Sequence, residues 1–483
     1  MSAALVLAAA LALLGPAGIP ASTTPRSPTS PIDGFVTAWM RANRVPGLSL
    51  AITHGDDVVH LRGYGQAGQD RPVTPDTPFF LASLSKSFTA VSVLQLVEAG
   101  RVELDAPVER YVPGFTVADR AAGRHITVRH LLNHTSGMAD AGFPDVRLPQ
   151  PESIEEAVAA LRDARTVSRP GTQFHYFERN YAVLARLVEA VTGRPFGDHL
   201  REHVLAPLAM THSTAVVGST EARGVAPDLA QGHVLAFGVP VPRDELDGYV
   251  GGSAGVLSTA RDIANWLVVQ QNDGRFGGRS LLGARWLRLT HTPPPGVAGS
   301  YAMGWTLDPG PPAVLSHTGV LSTFHAAQVL LPDSGYAFAV LAGTNHALTG
   351  WADLERGLIR HLTAGEVPEP GFGVGDLGVL LAALVIPVAA VGLTGVRRSP
   401  GWARRHGRRR WRAGLGIGWP LLPTVLALST SSLVDRFSGR VFGWYRLVLA
   451  MPDVIAVLGV SGMAGLAVAL SRAVALTRVR RAT

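Results

Sequence analysis

Cysteine is absent from the 483-residue chain. That excludes a disulfide framework, a thiol nucleophile and cysteine-ligated zinc or iron–sulfur centres, and leaves the redox compartment open. Lysine is nearly absent too: of 43 basic side chains only Lys86 is a lysine, and the other 42 are arginine. Charged residues make up 16% of the chain against 47% apolar, too apolar for disorder and low in charge for a soluble domain. No His-Glu-x-x-His or comparable histidine spacing occurs, so neither a metal nor a cofactor is expected. The net charge of +7 and the pI near 10.2 invite a nucleic-acid reading, which disappears once the charges are mapped.

From Gly371 to Thr483 there are 15 arginines and 3 acids, whereas residues 1–370 hold 28 basic and 33 acidic groups. The chain is therefore an acidic body with a basic, apolar tail. Three tail stretches carry no charge: Leu377–Val396 (20 residues), Ala413–Val434 (22) and Val454–Ser471 (18), the last extending past Arg472 to Leu476. Each approaches or reaches the roughly 20 residues that cross a bilayer core. Eight arginines crowd into Arg397–Arg412, and Arg472, Arg478, Arg480 and Arg481 flank or follow the third stretch. The positive-inside rule then places that basic loop and the C-terminus in the cytoplasm, with the body outside and the bilayer as a partner. Trp444 and Tyr445, between the second and third spans, read as interface anchors. At the other end, Ala3–Leu14 is an apolar run followed by small residues, so residues 1–21 read as a signal peptide, although no basic residue precedes the run. Residues 22–31, rich in Ser, Thr and Pro, read as a linker.

Residues 32–364 read as one α+β domain. A helix over Ile32–Asn43 leads into a hairpin of Gly47–Thr53 and Val58–Gly65. Leu84–Ala99 repeats apolar residues at helical spacing, with Gly100 as a stop. Further helices are predicted over Ser153–Ala164, with a capping box between Ser153 and Glu156, and over Asn180–Thr192 and Thr259–Gln271. Strands follow at Tyr301–Leu307, Val314–Thr318, His325–Leu331 and Tyr336–Ala342, then a helix around Trp351–Leu362. Strands at both ends with helices between predict one antiparallel sheet built from the terminal segments, flanked by helices, beside a helix-rich subdomain.

Chemistry starts from the lone lysine. Lysine loses its proton when desolvated or placed near another cation, whereas guanidinium stays charged. Ser83 lies three residues before Lys86, at the start of a predicted helix, so both side chains share one face. A neutral amine there can take the serine proton, and the helix N-terminus favours the negative oxygen.

The segment Phe80–Ala90 (FLASLSKSFTA) resembles the nucleophile segment of the serine β-lactamase-like hydrolases. This family includes class C β-lactamases, D-alanyl-D-alanine carboxypeptidases, D-aminopeptidases and related esterases. Ile126–Met138 (ITVRHLLNHTSGM) and Gly251–Asp262 (GGSAGVLSTARD) are similar to two further signatures, and Ser316–Gly319 (SHTG) matches the terminal-strand triad in its histidine version. The resemblance implies a β-lactamase/transpeptidase-like fold and an acyl-enzyme route. It implies Ser83 as nucleophile, Lys86 as its base, Tyr176 as proton shuttle, and the backbone N–H groups of Ser83 and Val320 as oxyanion hole. His317 would join the catalytic group, and Glu178, Thr318 and Gly319 would line the substrate. Alternation puts His317 and Gly319 on one strand face, where glycine lets substrate approach the backbone. A protonated His317 would add positive charge, so an activity change at about pH 6–7 is expected.

One position departs from the family pattern, which has Tyr-x-Asn where this chain has Tyr176-Phe177-Glu178. An ionised Glu178 has no hydrogen to donate to a substrate carbonyl, and it favours the charged form of Lys86. Simple esters or unusual peptides are therefore expected ahead of penicillin-type substrates. His134 reads as a loop-organising hydrogen bonder. Gly251-x-Ser253-x-Gly255 matches the nucleophile elbow of α/β-hydrolases, but the polar stretch Pro242–Gly248 leaves little room for the strand that an elbow needs. Two functions follow. One is a multi-pass, extracytoplasmic serine hydrolase acting on a small-molecule or peptide substrate, with no nucleic-acid role. The other is a catalytically silent sensor or scaffold signalling through the helices.

Overall fold

The computed structural model describes residues 30–367, 369, 371–407 and 409–482; the expected signal peptide and most of the expected linker lie outside the described residues. Helix α1 (Pro31–Asn43) opens with a capping box, in which the Ser30 hydroxyl accepts from the Asp33 N–H and the Asp33 carboxylate accepts from the Ser30 N–H. It leads into β1 (Gly47–His54) and β2 (Asp57–Gly68), the expected hairpin with the second strand running three residues further, and into the short β3 (Arg71–Pro72). Helices α2 (Ser85–Glu98), α3 (Arg179–Thr192) and α4 (Ala260–Gln271) belong to the middle of the chain. Then come β4 (Tyr301–Ala302), β5 (Trp305–Asp308), β6 (Val314–Val320), β7 (His325–Leu331), β8 (Tyr336–Ala342) and α5 (Trp351–Ala364).

These strands form one eight-stranded sheet in the order β4-β5-β6-β7-β8-β1-β2-β3, every pair antiparallel. The N-terminal hairpin thus docks on the C-terminal strands, the α+β arrangement read from the sequence. Burial on both faces explains why β1, β7 and β8 are nearly continuous apolar runs. Leu48, Leu50, Ile52, Phe338 and Val340 pack under α1 and α5 with Phe35, Trp39, Trp351 and Leu358. Ala51, Ala339 and Leu341 face the main core with α2, α3 and α4.

Helix α2 is buried on every side up to Val97, with only Gln95 part-exposed before Glu98 at its end, so its polar side chains must find partners inside the protein. A buried chain of polar contacts ties it to the sheet: the Trp266 indole N–H of α4 donates to Gln328 of β7 (3.1 Å), and the Gln328 amide donates to Ser87 (3.2 Å). Trp266 also stacks on Phe88, with ring centroids 3.8 Å apart.

Three expectations are corrected. Tyr301–Leu307 is not one strand: Met303 and Gly304 turn with positive φ (35° and 94°), because the backbone there passes so close to Ser87 that a Cβ at Gly304 would lie 2.7 Å from its nitrogen. Ser153 does cap its helix, accepting from the Glu156 N–H, but the Glu156 carboxylate accepts from Glu152 rather than from the cap. The basic segment Arg397–Arg412 is mostly helix rather than loop.

The tail forms α6 (Val374–His406), α7 (Arg410–Ser438) and α8 (Pro452–Ala482), all long and apolar enough to span a membrane. The helix of α6 runs through Arg397, Arg398, Arg404 and Arg405 before the turn at Gly407, with Pro400 inside it. Between α7 and α8 the chain returns to the body. Ala347 N–H donates to Ala450 C=O (2.8 Å), His346 pairs with Asp453 (3.1 Å, both fully buried), and Arg147 pairs with Asp435 (2.7 Å). Tyr445, expected as a membrane anchor, also takes a hydrogen bond from Arg243 (2.5 Å).

Strand β6 meets the segment before α2 through Gly319, where a Cβ would overlap the Leu81 carbonyl oxygen and lie 3.1 Å from Ala82 Cβ. Gly319→Ala is expected to cost about 1–3 kcal/mol, the usual penalty of overpacking a tight contact. A lowered melting temperature checks it; an unchanged one contradicts the close approach.

Candidate active site

Ser83 sits in a single 3₁₀ turn (Ala82–Leu84) that runs directly into α2. Ala82, just before it, adopts a left-handed conformation (φ 48°), which costs a non-glycine residue about 1–3 kcal/mol. The surroundings hold it there: Leu81 N–H donates to Val256 C=O (2.8 Å), Val256 N–H donates to Ser85 Oγ (3.0 Å), and Thr89 donates to Gly252 C=O (2.6 Å). The Gly251–Asp262 motif thus wraps the start of α2. Ser253 contributes only its carbonyl to the site; a turn surrounds it, and the short strand Val256–Ser258 follows rather than precedes it. The nucleophile-elbow geometry is absent there.

Lys86 is completely buried, and its ammonium nitrogen has three oxygen neighbours: Ser83 Oγ (3.0 Å), Ser253 C=O (3.0 Å) and Glu178 Oε2 (2.5 Å). Burial pulls the amine below its ordinary value, against the opposing charge and hydrogen bond of Glu178; the positive charge of Arg440 pulls the same way as burial. Burial also pushes Glu178 upward, but the charges of Lys86 and Arg440 prevail and hold it at about 2. Glu178 is therefore an anion throughout the neutral range.

The Tyr176 ring packs beside the pair, its centroid 4.9 Å from Lys86 Nζ. Burial, with Glu178 nearby, raises this phenol well above its ordinary value, so it is neutral at working pH. His134 holds Tyr176 from behind, ring centroids 4.3 Å apart. Its Nδ1 faces the Phe177 N–H (3.2 Å) and the Asn180 amide (3.0 Å), so Nδ1 accepts and the proton sits on Nε2. The loop-organising role read for His134 fits this geometry.

His317 and Gly319 face inward on β6, while Thr318 and Val320 are exposed. Two details differ from expectation. Gly319 admits the Leu81–Ala82 backbone rather than a substrate. Burial, aided by the nearby charge of Lys86, pulls His317 down to about 4, so it is neutral between pH 5.5 and 8 and gives no step at about pH 6–7. Its Nδ1 lies 2.8 Å from the Thr318 carbonyl oxygen.

Two residues that the sequence did not mark as site residues complete the site. Tyr301, at the start of β4, packs against His134, Tyr176 and His317 with ring centroids 4.8, 5.9 and 5.7 Å away. Arg440 reaches in from the segment between α7 and α8. Its guanidinium donates to Asp140 Oδ2 (2.8 Å) and Glu178 Oε1 (3.4 Å) and lies 4.8 Å from the Tyr176 ring centroid. No motif marks Arg440, which is one of three arginines in a stretch legible only as a connection between spans. Among the described residues, no group of three or more His, Asp or Glu is placed to hold a metal ion.

Comparison with known proteins bears on the family and the fold. Protein flp of Staphylococcus aureus is 27% identical over 319 residues, which cover 65% of this chain and 63% of that protein. The chain thus spans somewhat under two thirds of that relative's length. Penicillin-binding protein 4 of Amycolatopsis lactamdurans is 30% identical over 347 residues, 68% of this chain and 88% of that protein. The octameric penicillin-binding protein homologue from Pyrococcus abyssi superposes with a TM-score of 0.59 at 27% identity, covering 70% of this chain and 78% of its own. The beta-lactamase family model matches residues 32–360, more than half of the chain. The chain therefore belongs to the beta-lactamase family, with three apolar helices following the family domain.

Proposed function

We propose that this protein is a membrane-anchored serine hydrolase whose family domain faces the extracytoplasmic side. The observation that carries this reading is the fully buried Lys86 amine, 3.0 Å from Ser83 Oγ and pulled below its ordinary value. In its neutral form the amine accepts the Ser83 proton, and Oγ bonds to the acyl carbon of the substrate. The N–H groups of Ser83 and Val320 stabilise the resulting oxyanion. The neutral Tyr176 hydroxyl passes the proton from Lys86 to the departing oxygen or nitrogen, the acyl–leaving-group bond breaks, and an ester to Ser83 remains. Water, deprotonated by the same route, releases the acid. Tyr176 acts here as a relay rather than as the base, because its phenol resists ionisation more than Lys86 does.

Exposed Thr318 and Val320 and the chain around Glu178 would line the substrate cleft. The carboxylate of Glu178 favours esters or unusual peptides over acyl-amide substrates that require a donor at that position. Contact of the α7–α8 segment with the body supports placing both on one side of the bilayer, the arrangement that the charge asymmetry favours. The short Lys86–Glu178 contact is also what supports the alternative, a silent sensor in which the amine stays charged.

Treating the full chain with a fluorophosphonate is expected to add one adduct to the wild type and to Ser253→Ala, and none to Ser83→Ala, by intact mass. An unlabelled wild type would favour the sensor. Glu178→Asn is expected to raise cephalosporin turnover relative to ester turnover by about tenfold, equivalent to a hydrogen bond of about 1.4 kcal/mol. No relative gain would remove Glu178 as a determinant of substrate class.

A further inference from the structure

Arg440 lies 262 residues from Glu178 and 300 from Asp140 in the chain, yet its guanidinium bridges their two carboxylates beside the Ser83–Lys86 pair. Its position is built. Val441 N–H donates to the same Asp140 oxygen (3.1 Å), and Phe442 N–H donates to Asp435 (2.9 Å), which in turn pairs with Arg147. The buried His346–Asp453 pair closes the far end of the segment. Glu178 is shared between two cations, Oε2 facing Lys86 and Oε1 facing Arg440.

We propose that Arg440 is a positioning residue of the hydrolase site, supplied by the connection between the second and third apolar helices, which engages Glu178 so that Lys86 can release its proton. The inference rests on the hydrolase reading. Alone, a carboxylate 2.5 Å from the amine would hold Lys86 in its charged form. A second cation on the opposite oxygen offsets that pull and keeps the carboxylate from swinging toward Ser83. The other titratable groups facing this cluster are His134, Tyr176, Tyr181, Tyr301 and His317, and burial keeps all of them neutral in the working range. Asp140, the second acid on Arg440, is pushed upward by burial. The membrane segment then completes the active site, in addition to tethering it.

The direction of the effect follows from the base having to be neutral. kcat/KM rises with pH as Lys86 deprotonates, and losing the Arg440 charge raises the amine's affinity for its proton. In detergent-solubilised full chain acting on p-nitrophenyl acetate from pH 6 to 9, Arg440→Gln is expected to move the rising limb up by about one pH unit. That shift is a loss of about tenfold on the lower part of the limb, recovered toward high pH. Arg440→Lys is expected to restore most of the shift. The double variant Arg440→Gln/Glu178→Gln is expected to return the limb to the wild-type position or below it. An unmoved limb in Arg440→Gln, or a loss equal at every pH that Arg440→Lys does not relieve, overturns the proposal. If Arg440→Gln does not fold, a double variant whose limb lies above the wild-type position overturns it. Failure of wild-type fluorophosphonate labelling would instead reject the hydrolase reading, so the two failures are distinguishable.

Discussion

Everything in the site depends on the cost of burying one ammonium group. Lys86 has no exposure and sits in a helix buried over most of its length, so its charge is tolerated only through the three oxygens around it. Desolvation pushes the amine toward neutrality while Glu178 pulls it toward charge. Which of the two prevails decides whether Ser83 has a base. Arginine could not stand in this position, because a guanidinium stays charged at any working pH. A chain that uses arginine at every other basic position keeps its one lysine at the position where the proposed mechanism needs proton release.

The rest of the fold holds that balance in place. Gly319 lets β6 close against Leu81–Ala82, and the Gly251–Asp262 motif supplies a carbonyl to Lys86 while capping α4 through Thr259. His134 locks the ring of Tyr176, and the Trp266–Gln328–Ser87 chain fixes α2 on the sheet. Across these elements the atoms gathered around Lys86 come from separate segments of the sequence, and each segment is anchored by contacts of its own. The helices after the family domain join this framework through Arg440, His346–Asp453 and the Ala450 carbonyl.

What was legible in the sequence was what local spacing determines. The i, i+3 relation of Ser83 and Lys86, the hairpin after α1, the strands His325–Leu331 and Tyr336–Ala342 and the apolar tail helices all follow from periodicity or from short motifs. The antiparallel joining of the chain ends followed from the order of the elements. The split of Tyr301–Leu307 was not legible, because it is imposed by the approach of Ser87 from another segment. The neutral state of His317 arises from burial that only the assembled fold supplies. Glu178 was visible as a departure from its motif, but its second partner was not, since an arginine 262 residues away carries no local signal.

Lys86 can act as a base only if burial prevails over Glu178, and the composition offers a direct way to measure this. With one lysine in the chain, ε-¹³C-lysine labelling gives a single side-chain resonance, whose shift can be followed against pH in the detergent-solubilised protein. The expected result is a titration midpoint clearly below the ordinary lysine value of about 10.4. A midpoint at or above that value would contradict that base role, because Lys86 would then stay charged beside Ser83 at every working pH.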